Sequence, residues 1–130
     1  MPPATALAYR DVEILSASPI RLVVITFDAA LAALTRTRTG ITMSNRDLVL
    51  SGLDKTRQLV GELLGSLDRE RGGDLAARLA SVYAFTLSEL TDLGVRPDLA
   101  RLDRTISMVR QLRDAFAEIS HVHDDAAAVA

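Results

Sequence analysis

The residues best suited to chemistry in this 130-residue chain are two histidines near its C-terminal end, in the run His121-Val122-His123-Asp124-Asp125. Imidazole and carboxylate groups of this kind can bind a transition metal or transfer protons. Residues two positions apart do not share a face of a helix, so His121 and His123 make a poor metal site. We interpret the run as the solvated end of a helix, where cationic side chains are favourable.

Other motifs that could suggest a phosphate-binding or catalytic site have simpler structural explanations. Gly72-Gly73-Asp74 lacks the preceding strand and the further glycines of a phosphate-binding loop, and is interpreted as a helix stop followed by a helix cap. Asp28 and Asp103 have no second acid at a catalytic spacing, so surface or capping positions explain them. The chain has no cysteine, which excludes disulfides and thiol catalysis. The sequence therefore predicts no catalytic residue, no metal site, no cofactor and no enzymatic activity.

The composition indicates one helical domain that covers residues 1–130. Hydrophobic residues make up 48% of the chain and are mostly Leu, Ala, Val and Ile, which favour helices over sheets. Charges of both signs are interspersed with a net charge of −2, so no basic patch indicates a nucleic-acid partner. Neither a signal peptide nor an apolar run of membrane-spanning length can be read. We expect a cytoplasmic protein without membrane insertion.

Capping signals and turns divide the chain into four predicted helices. Ser18 can accept hydrogen bonds from the first free amides, and Pro19 suits the first helical position, so this pair begins the first helix. Gly40 is predicted to stop it, and Ser44 with Asp47 to cap the second helix. The predicted helices run from Pro19 to about Thr39, from near Ser44 to about Leu67 or Asp68, from Asp74 to before Gly94, and from Pro97-Asp98 to about Ile119 or His121.

The lengths of these elements favour one architecture. Short connections between long helices predict an antiparallel, up-and-down four-helix bundle of the all-α class. A short N-terminal segment, residues 1–17, is expected to pack on the bundle, because it contains several apolar side chains. Residues 120–130 are expected to form a flexible tail.

The first two helices carry more apolar surface than a bundle needs, since a bundle helix requires one stripe a little over about 100° wide. The first helix has a core stripe at Ile20, Val24, Phe27, Leu31 and Leu34. A second strip on roughly its opposite side contains Leu22, Ile25, Ala29 and Ala33. The second helix has a core stripe at Val49, Leu53, Val60, Leu63 and Leu67. That stripe is widened to an arc of roughly 200° by Leu48, Leu59, Leu50 and Leu64.

The third and fourth helices are ordinary amphipathic helices. The third clusters Leu75, Leu79, Val82, Tyr83, Thr86, Leu87 and Leu90, with Phe85 alone projecting toward the polar side. The fourth is apolar through Leu102, Ile106, Met108, Val109, Leu112, Phe116 and Ile119. Two explanations of the excess on the first two helices stay open. The first helix is central and the N-terminal segment covers the second, or the excess surface is a long groove for a partner segment. A homodimer would hide the same surface.

Three motifs follow one another over about residues 8–119. The first consists of Tyr9-Arg10, Ser16-Ala17-Ser18-Pro19, Arg21-Leu22-Val23 and Phe27-Asp28-Ala29-Ala30. The second is Lys55 followed by Leu67-Asp68-Arg69-Glu70-Arg71-Gly72-Gly73-Asp74-Leu75-Ala76. The third is Arg113-Asp114-Ala115-Phe116-Ala117-Glu118-Ile119. In this order and spacing they resemble the FliS family of flagellin-specific secretion chaperones.

The resemblance implies a helical bundle that binds the disordered C-terminal segment of flagellin, prevents premature polymerisation and aids delivery to the flagellar type III export apparatus. The export gate is a further implied partner once the client is bound. The predicted client-binding residues are Tyr9, Ile14, Leu22, Ile25, Ala29, Leu50, Arg57 and Leu64. Tyr9 and Ile14 would act as a displaceable lid, whereas Ser18 and Pro19 are structural. The alternatives are a homodimeric adaptor or regulator with a non-flagellin partner and, third, an enzyme that uses His121 and His123.

Overall fold

The computed structural model describes the backbone of residues 19–129 and the side chains of residues 19–122. Over that range the chain forms four helices: α1, Pro19–Thr42; α2, Arg46–Gly65; α3, Arg69–Val95; and α4, Leu99–Val129. The helix α1 packs along both α2 and α4, α2 packs along α3, and α3 approaches α4 closely at only a few positions. The predicted all-α four-helix bundle is confirmed. None of the described helices is long and apolar enough to cross a membrane.

Two surface ion pairs connect α1 and α4 and agree with the antiparallel direction of the two helices. The Nε atom of Arg38 donates to Oδ1 of Asp103 at 2.9 Å, and the Nε atom of Arg113 donates to Oδ1 of Asp28 at 2.8 Å. The hydrogen-bonded carboxylates raise the pKa of both guanidinium groups above the ordinary arginine value. Asp28 and Asp103 are therefore surface partners of arginines, which agrees with the surface position predicted for them.

All four helices contribute to one core. Its largest fully buried apolar side chains are Phe27, Leu34, Leu53, Leu90, Leu93 and Leu102. The core also contains the hydroxyl groups of Thr37, Thr56 and Thr86, each of which donates to the carbonyl oxygen four residues earlier in its helix. Because these donors are satisfied within their own helices, they can be buried without an unpaired polar group.

Gly40 does not end α1, which continues to Thr42. Gly40 is buried, and a Cβ atom at this position would lie 2.8 Å from the backbone nitrogen of Val49 in α2. Gly52 is buried in the same way, since its Cβ atom would lie 2.9 Å from the carbonyl oxygen of Ala33. The prediction of a helix stop at Gly40 is wrong because this glycine allows α1 and α2 to approach closely.

The turn between α1 and α2 ends one helix and begins the next at adjacent residues. Ser44 has a φ of +52°. Its N–H donates to the carbonyl of Ile41 at 3.2 Å, and the N–H of Asn45 donates to the carbonyl of Gly40 at 2.8 Å, which is a left-handed helix end. Asn45 is extended, and its side chain accepts from the N–H of Leu48 at 3.1 Å. The cap of α2 is therefore Asn45 rather than Ser44, because a cap requires extended backbone.

The boundaries of α2 and α3 differ from the predictions by a few residues, whereas α4 ends eight to ten residues later than predicted. The helix α2 ends at Gly65, α3 begins at Arg69 and ends at Val95, and the helical backbone of α4 continues to Val129. Asp68 caps α3 by accepting from the N–H of Arg71 at 3.1 Å. The break predicted at Gly72-Gly73 is present, but it lies inside α3, about one turn after the helix begins. Gly73 has a φ of +50° and a ψ of −128° there. Asp74 thus follows a kink and does not begin the helix.

Candidate protein-binding surface

The second apolar strip of α1 faces α2 over most of its length. Ala33 is fully buried, and Ala29 is half-buried and packs against the core. The part of the strip that reaches the surface is near the start of α1, where Leu22 is half-buried and Ile25 is 38% exposed. The two apolar strips therefore pack against the two neighbouring helices, α2 and α4, which agrees with a central position for α1.

The wide apolar arc of α2 is also used largely inside the bundle. Leu59 is buried, Leu64 is half-buried against the core, and Leu48 and Leu50 are half-buried. Arg57 is half-buried and forms an ion pair with an aspartate one turn earlier in the helix. The arc is consequently not one free apolar surface.

The structure brings some of the predicted binding residues together and separates others. Leu22 and Ile25 near the start of α1 and Leu64 near the end of α2 lie at the same end of the bundle, because the two helices are antiparallel. Leu50 lies near the start of α2, at the other end. Pro19 is the first residue of α1, as predicted. Tyr9, Ile14, Ser18 and His123 are not among the residues whose side chains the structure describes, and their roles stay predictions.

An apolar cavity of about 700 Å³ opens at the end of the bundle where α1 begins, α2 ends and α3 begins. Its apolar lining comes from all four helices: Ile20, Val23, Leu63, Leu67, Leu75, Ala76, Leu79, Tyr83 and Phe116. A second depression of about 350 Å³ lies beside it and also contains Val23, Leu63 and Ser66. Leu22 and Thr26 line only this second depression. We call the two depressions together the end groove.

The end groove is open because the helices that form its walls are not packed against one another there. The helix α3 changes direction at Gly73 and approaches α4 at only a few positions. Leu75 was predicted to belong to the core but is 66% exposed on the rim of the groove. Ile119 was also expected on the apolar face of α4 and is half exposed, because α1 begins near this level. Both predictions are wrong for the same reason, the absence of a covering helix in the described part of the chain.

Polar residues lie at the rim of the end groove, and two of them form hydrogen bonds with backbone groups. The hydroxyl of Ser66 donates to the carbonyl of Leu63 at 2.9 Å, and the carboxylate of Asp68 caps α3. Arg71 lies 3.7 Å from Asp68, but both side chains are largely exposed. An apolar floor with a polar rim is the arrangement of a surface that holds an apolar segment in a fixed position.

The floor of the groove includes one ionisable group, the phenol of Tyr83. Its ring is buried and lies 6.3 Å from the ring of Phe27, centroid to centroid. Burial raises the pKa of Tyr83 to about 12, since the charged phenolate is poorly solvated there. Among the described residues its hydroxyl makes no hydrogen bond, so the side chain acts as an apolar wall with a polar tip.

This environment gives a testable pH dependence. Because the pKa of Tyr83 is higher in the folded than in the unfolded chain, its contribution to stability is complete below about pH 10 and is lost as the pH rises toward about 12. Tyr83→Phe should change the free energy of unfolding at pH 7 by less than about 0.5 kcal/mol and should remove this alkaline loss. Urea unfolding of both proteins across this pH range measures the difference. Parallel curves for the two proteins would contradict the assignment.

The end groove cannot be predicted from the sequence, although most of its lining residues are predicted to be apolar core positions. These residues belong to the predicted core stripes of separate helices: Ile20, Leu63, Leu67, Leu79, Tyr83 and Phe116. A cavity formed where several helices begin or end cannot be seen in the periodicity of any one of them. The one available signal was the Gly72-Gly73 break, which places apolar residues such as Leu75 next to a change of direction.

Comparisons with known proteins identify the family to which this bundle belongs. The family model described as Flagellar protein FliS matches residues 2–123. The chain is 29% identical over 110 residues to the flagellar secretion chaperone FliS of Salmonella typhimurium, and the alignment covers 82% of this chain and 80% of that protein. It is 26% identical over 109 residues to the flagellar secretion chaperone FliS of Vibrio cholerae, with 84% and 80% covered.

A third relative gives the same result. The chain is 26% identical over 113 residues to the flagellar secretion chaperone FliSB of Pseudomonas aeruginosa, with 85% of this chain and 88% of that protein covered. All three relatives are named as chaperones and none as an enzyme. Because the family match extends over nearly the whole sequence and the bundle agrees with it, this chain belongs to the FliS family of flagellar secretion chaperones.

Proposed function

We propose that this protein binds the disordered C-terminal segment of flagellin in the cytoplasm, prevents its premature polymerisation and aids its delivery to the flagellar type III export apparatus. The observation that supports the proposal is the end groove, an open apolar cavity of about 700 Å³ in a member of a family of secretion chaperones. A disordered client loses conformational entropy when it binds, so it requires a large apolar surface in return. The groove provides such a surface.

In this proposal the apolar side chains of the client enter the end groove past Leu22 and Ile25 on one side and Leu75 on the other. Ala29, Leu50, Arg57 and Leu64, all half-buried, extend the contact along α1 and α2. Their limited exposure indicates a contact over the ridges of the bundle rather than insertion between its helices. The deepest part of the client site would then be the groove itself.

The N-terminal segment would be a lid over this site. Residues 1–18 join α1 at Pro19, which lines the end groove, so Tyr9 and Ile14 are attached next to the surface that they would cover. Binding of the client would displace them. The loaded chaperone would then meet the export gate, and no nucleotide or metal takes part in this sequence of events.

Substitutions on the rim of the groove test the proposal. Leu75→Glu places a charge on the lining of the groove, and Ile25→Glu places one a single helical turn after Leu22, which lines it. Both positions are already partly exposed, so neither change should unfold the bundle. Each should weaken binding of a peptide with the C-terminal sequence of the flagellin from the same genome at least about tenfold, because the carboxylate loses water in the complex. Leu64→Glu should act in the same direction. Fluorescence anisotropy measures the affinity, and circular dichroism verifies the helical content.

A matched control exists at the other end of the molecule. Met43 is 69% exposed in the turn between α1 and α2, so Met43→Glu adds the same charge to an exposed apolar residue far from the groove. Its affinity for the peptide should stay within about twofold of the unmodified protein. Unchanged affinity in Ile25→Glu and Leu75→Glu would contradict the proposed site.

The rival function is a homodimeric adaptor in which a second copy covers the same apolar surface. Light scattering after size exclusion separates the two possibilities. A chaperone should form a 1:1 complex with flagellin. A stable homodimer that flagellin does not alter, and that Ile25→Glu converts to monomers, would support the adaptor instead.

A further inference from the structure

One hydroxyl group on the floor of the end groove has unused hydrogen-bonding capacity. The side chain of Tyr83 is only 3% exposed, and its ring is held in a tilted contact with that of Phe27, at an interplanar angle of 52°. Its hydroxyl makes no hydrogen bond in the described part of the chain, and no side-chain nitrogen or oxygen there is fully enclosed without a partner. The hydroxyl of Tyr83 is therefore not fully enclosed. The opening that Tyr83 lines is the end groove, so we infer that the hydroxyl reaches it.

The other hydroxyl groups near Tyr83 are already used within their own helices. The hydroxyl of Ser66 at the rim donates to the carbonyl of Leu63 at 2.9 Å, and the buried hydroxyl of Thr86 donates to the carbonyl of Val82 at 2.8 Å. Short side chains can turn back to the backbone in this way. The hydroxyl of Tyr83 lies at the far end of a rigid ring and cannot do the same, so its donor is available to a molecule that enters the groove.

Entry of an apolar client segment changes the surroundings of this hydroxyl. In the open groove it can exchange hydrogen bonds with solvent, whereas a segment that fills the floor excludes solvent. A phenol that loses water without gaining an acceptor weakens binding, and one that gains an acceptor in apolar surroundings strengthens it. The floor of the groove therefore discriminates between segments by the group that they place opposite Tyr83.

We propose that the hydroxyl of Tyr83 donates a hydrogen bond to a backbone carbonyl of the client, next to an apolar client side chain that enters the end groove. The inference rests on the proposed function and names the contact that orients the client at the floor. A carboxylate would lose its hydration in this apolar cavity, whereas every residue of the client brings a backbone carbonyl. Carbonyls in the interior of a helix already accept from the amide four residues later. The client residue above Tyr83 therefore belongs to an extended stretch or to the last turn of a helix.

Removal of the hydroxyl tests the contact, because the sign of its effect depends on what the client places there. Tyr83→Phe keeps the ring and should weaken binding of the flagellin C-terminal peptide about tenfold, measured by fluorescence anisotropy on the full chain. Unchanged affinity would mean that the hydroxyl stays in contact with water, and higher affinity would mean that the client leaves it unpaired. Either result would overturn the proposal.

A matched control removes a hydroxyl that is already used inside the bundle. Thr86→Val deletes a buried hydroxyl one turn further along α3, outside the lining of the end groove. Its affinity for the peptide should stay within about twofold of that of the unmodified protein. Equal losses in Tyr83→Phe and Thr86→Val would show a general effect of altered packing in α3 and refute the contact.

Peptides in which one amide at a time is replaced by an ester locate the accepting carbonyl, since an ester carbonyl is a weaker acceptor than an amide carbonyl. At one position the ester should lower the affinity of the unmodified protein at least about fivefold and that of Tyr83→Phe less than about twofold. Carbon chemical shifts of the labelled peptide should place that residue outside a helix interior. A scan without such a coupled position, or an accepting residue inside a helix, would contradict the proposal.

The outcomes separate this contact from the proposed function. If the unmodified protein did not bind the flagellin peptide, the proposed function would be refuted, and the contact with it. If the peptide bound with an affinity that Tyr83→Phe does not lower, only the contact would be refuted.

Discussion

Gly52→Ala is expected to lower the free energy of unfolding by about 3 kcal/mol, although alanine is intrinsically the better helix former. Gly52 lies in the interior of α2, buried where that helix crosses α1. A methyl group there would overlap the hydroxyl oxygen of Thr37 and lie 2.9 Å from the carbonyl oxygen of Ala33. Relief requires the two helix backbones to separate, which would disturb the most extensive helix contact of the bundle. Urea unfolding followed by circular dichroism measures the loss.

The same substitution nine residues later in α2 should have the opposite sign. Gly61 is exposed, and no atom would lie within 4 Å of a Cβ atom placed on it. Gly61→Ala should therefore raise the free energy of unfolding by about 0.5 to 1 kcal/mol, because alanine loses less backbone entropy in a helix. If Gly52→Ala also raised the free energy of unfolding, as Gly61→Ala should, α1 and α2 would have to cross at a greater distance than described.

The second large effect is expected for Phe27→Ala, which should lower the free energy of unfolding by about 4 kcal/mol. The ring of Phe27 is buried, and its centroid lies 6.3 Å from that of Tyr83 and 5.6 Å from that of Phe116. Phe27 therefore joins α1 to α3 and α4 directly beside the floor of the end groove. Its removal leaves a cavity that three helices must collapse to fill, so the expected loss is near the upper end for a large-to-small change. Chemical denaturation provides the measurement.

Phe85→Ala makes the identical chemical change at an exposed ring of α3. Because 60% of this side chain is already in contact with solvent, the expected loss of stability is below about 1 kcal/mol. A loss as large as that of Phe27→Ala would mean that Phe85 packs inside the bundle rather than on its surface.

The number, type and order of the helices could be predicted because each helix has a continuous apolar stripe and a recognisable beginning. The predicted ends were less accurate, and Gly40 shows the reason. A glycine can supply a left-handed conformation that stops a helix or a bare surface that another helix approaches, and both uses require the same residue. Only the position of Val49 on the neighbouring helix decides between them. The position of Val49 depends on the tertiary structure, so the sequence of α1 alone cannot show whether Gly40 ends the helix.

The binding surface was harder to predict than the fold. Leu75 has the spacing of a core residue, and whether such a position is buried depends on how far the neighbouring helix extends. Ala33 and Ile25 are members of the same strip of α1, yet one is fully buried and the other is on the surface. Periodicity shows which side of a helix is apolar. It does not show where along that side the covering helix stops.

The position of Pro19 on the rim of the end groove would limit the reach of the proposed lid. Four residues lie between Ile14 and Pro19, and the five Cα–Cα steps that join the two can span at most about 17 Å, so Ile14 would stay in the neighbourhood of the groove. A segment tethered so closely has a local concentration in the millimolar range at any dilution of the protein. A contact with an intrinsic dissociation constant of about 1 mM would then cover half of the molecules and reduce the apparent affinity for client only about twofold. The covered fraction of the free chaperone would therefore not change with the concentration of the protein, whereas client capture would rise with the amount of client in the cell.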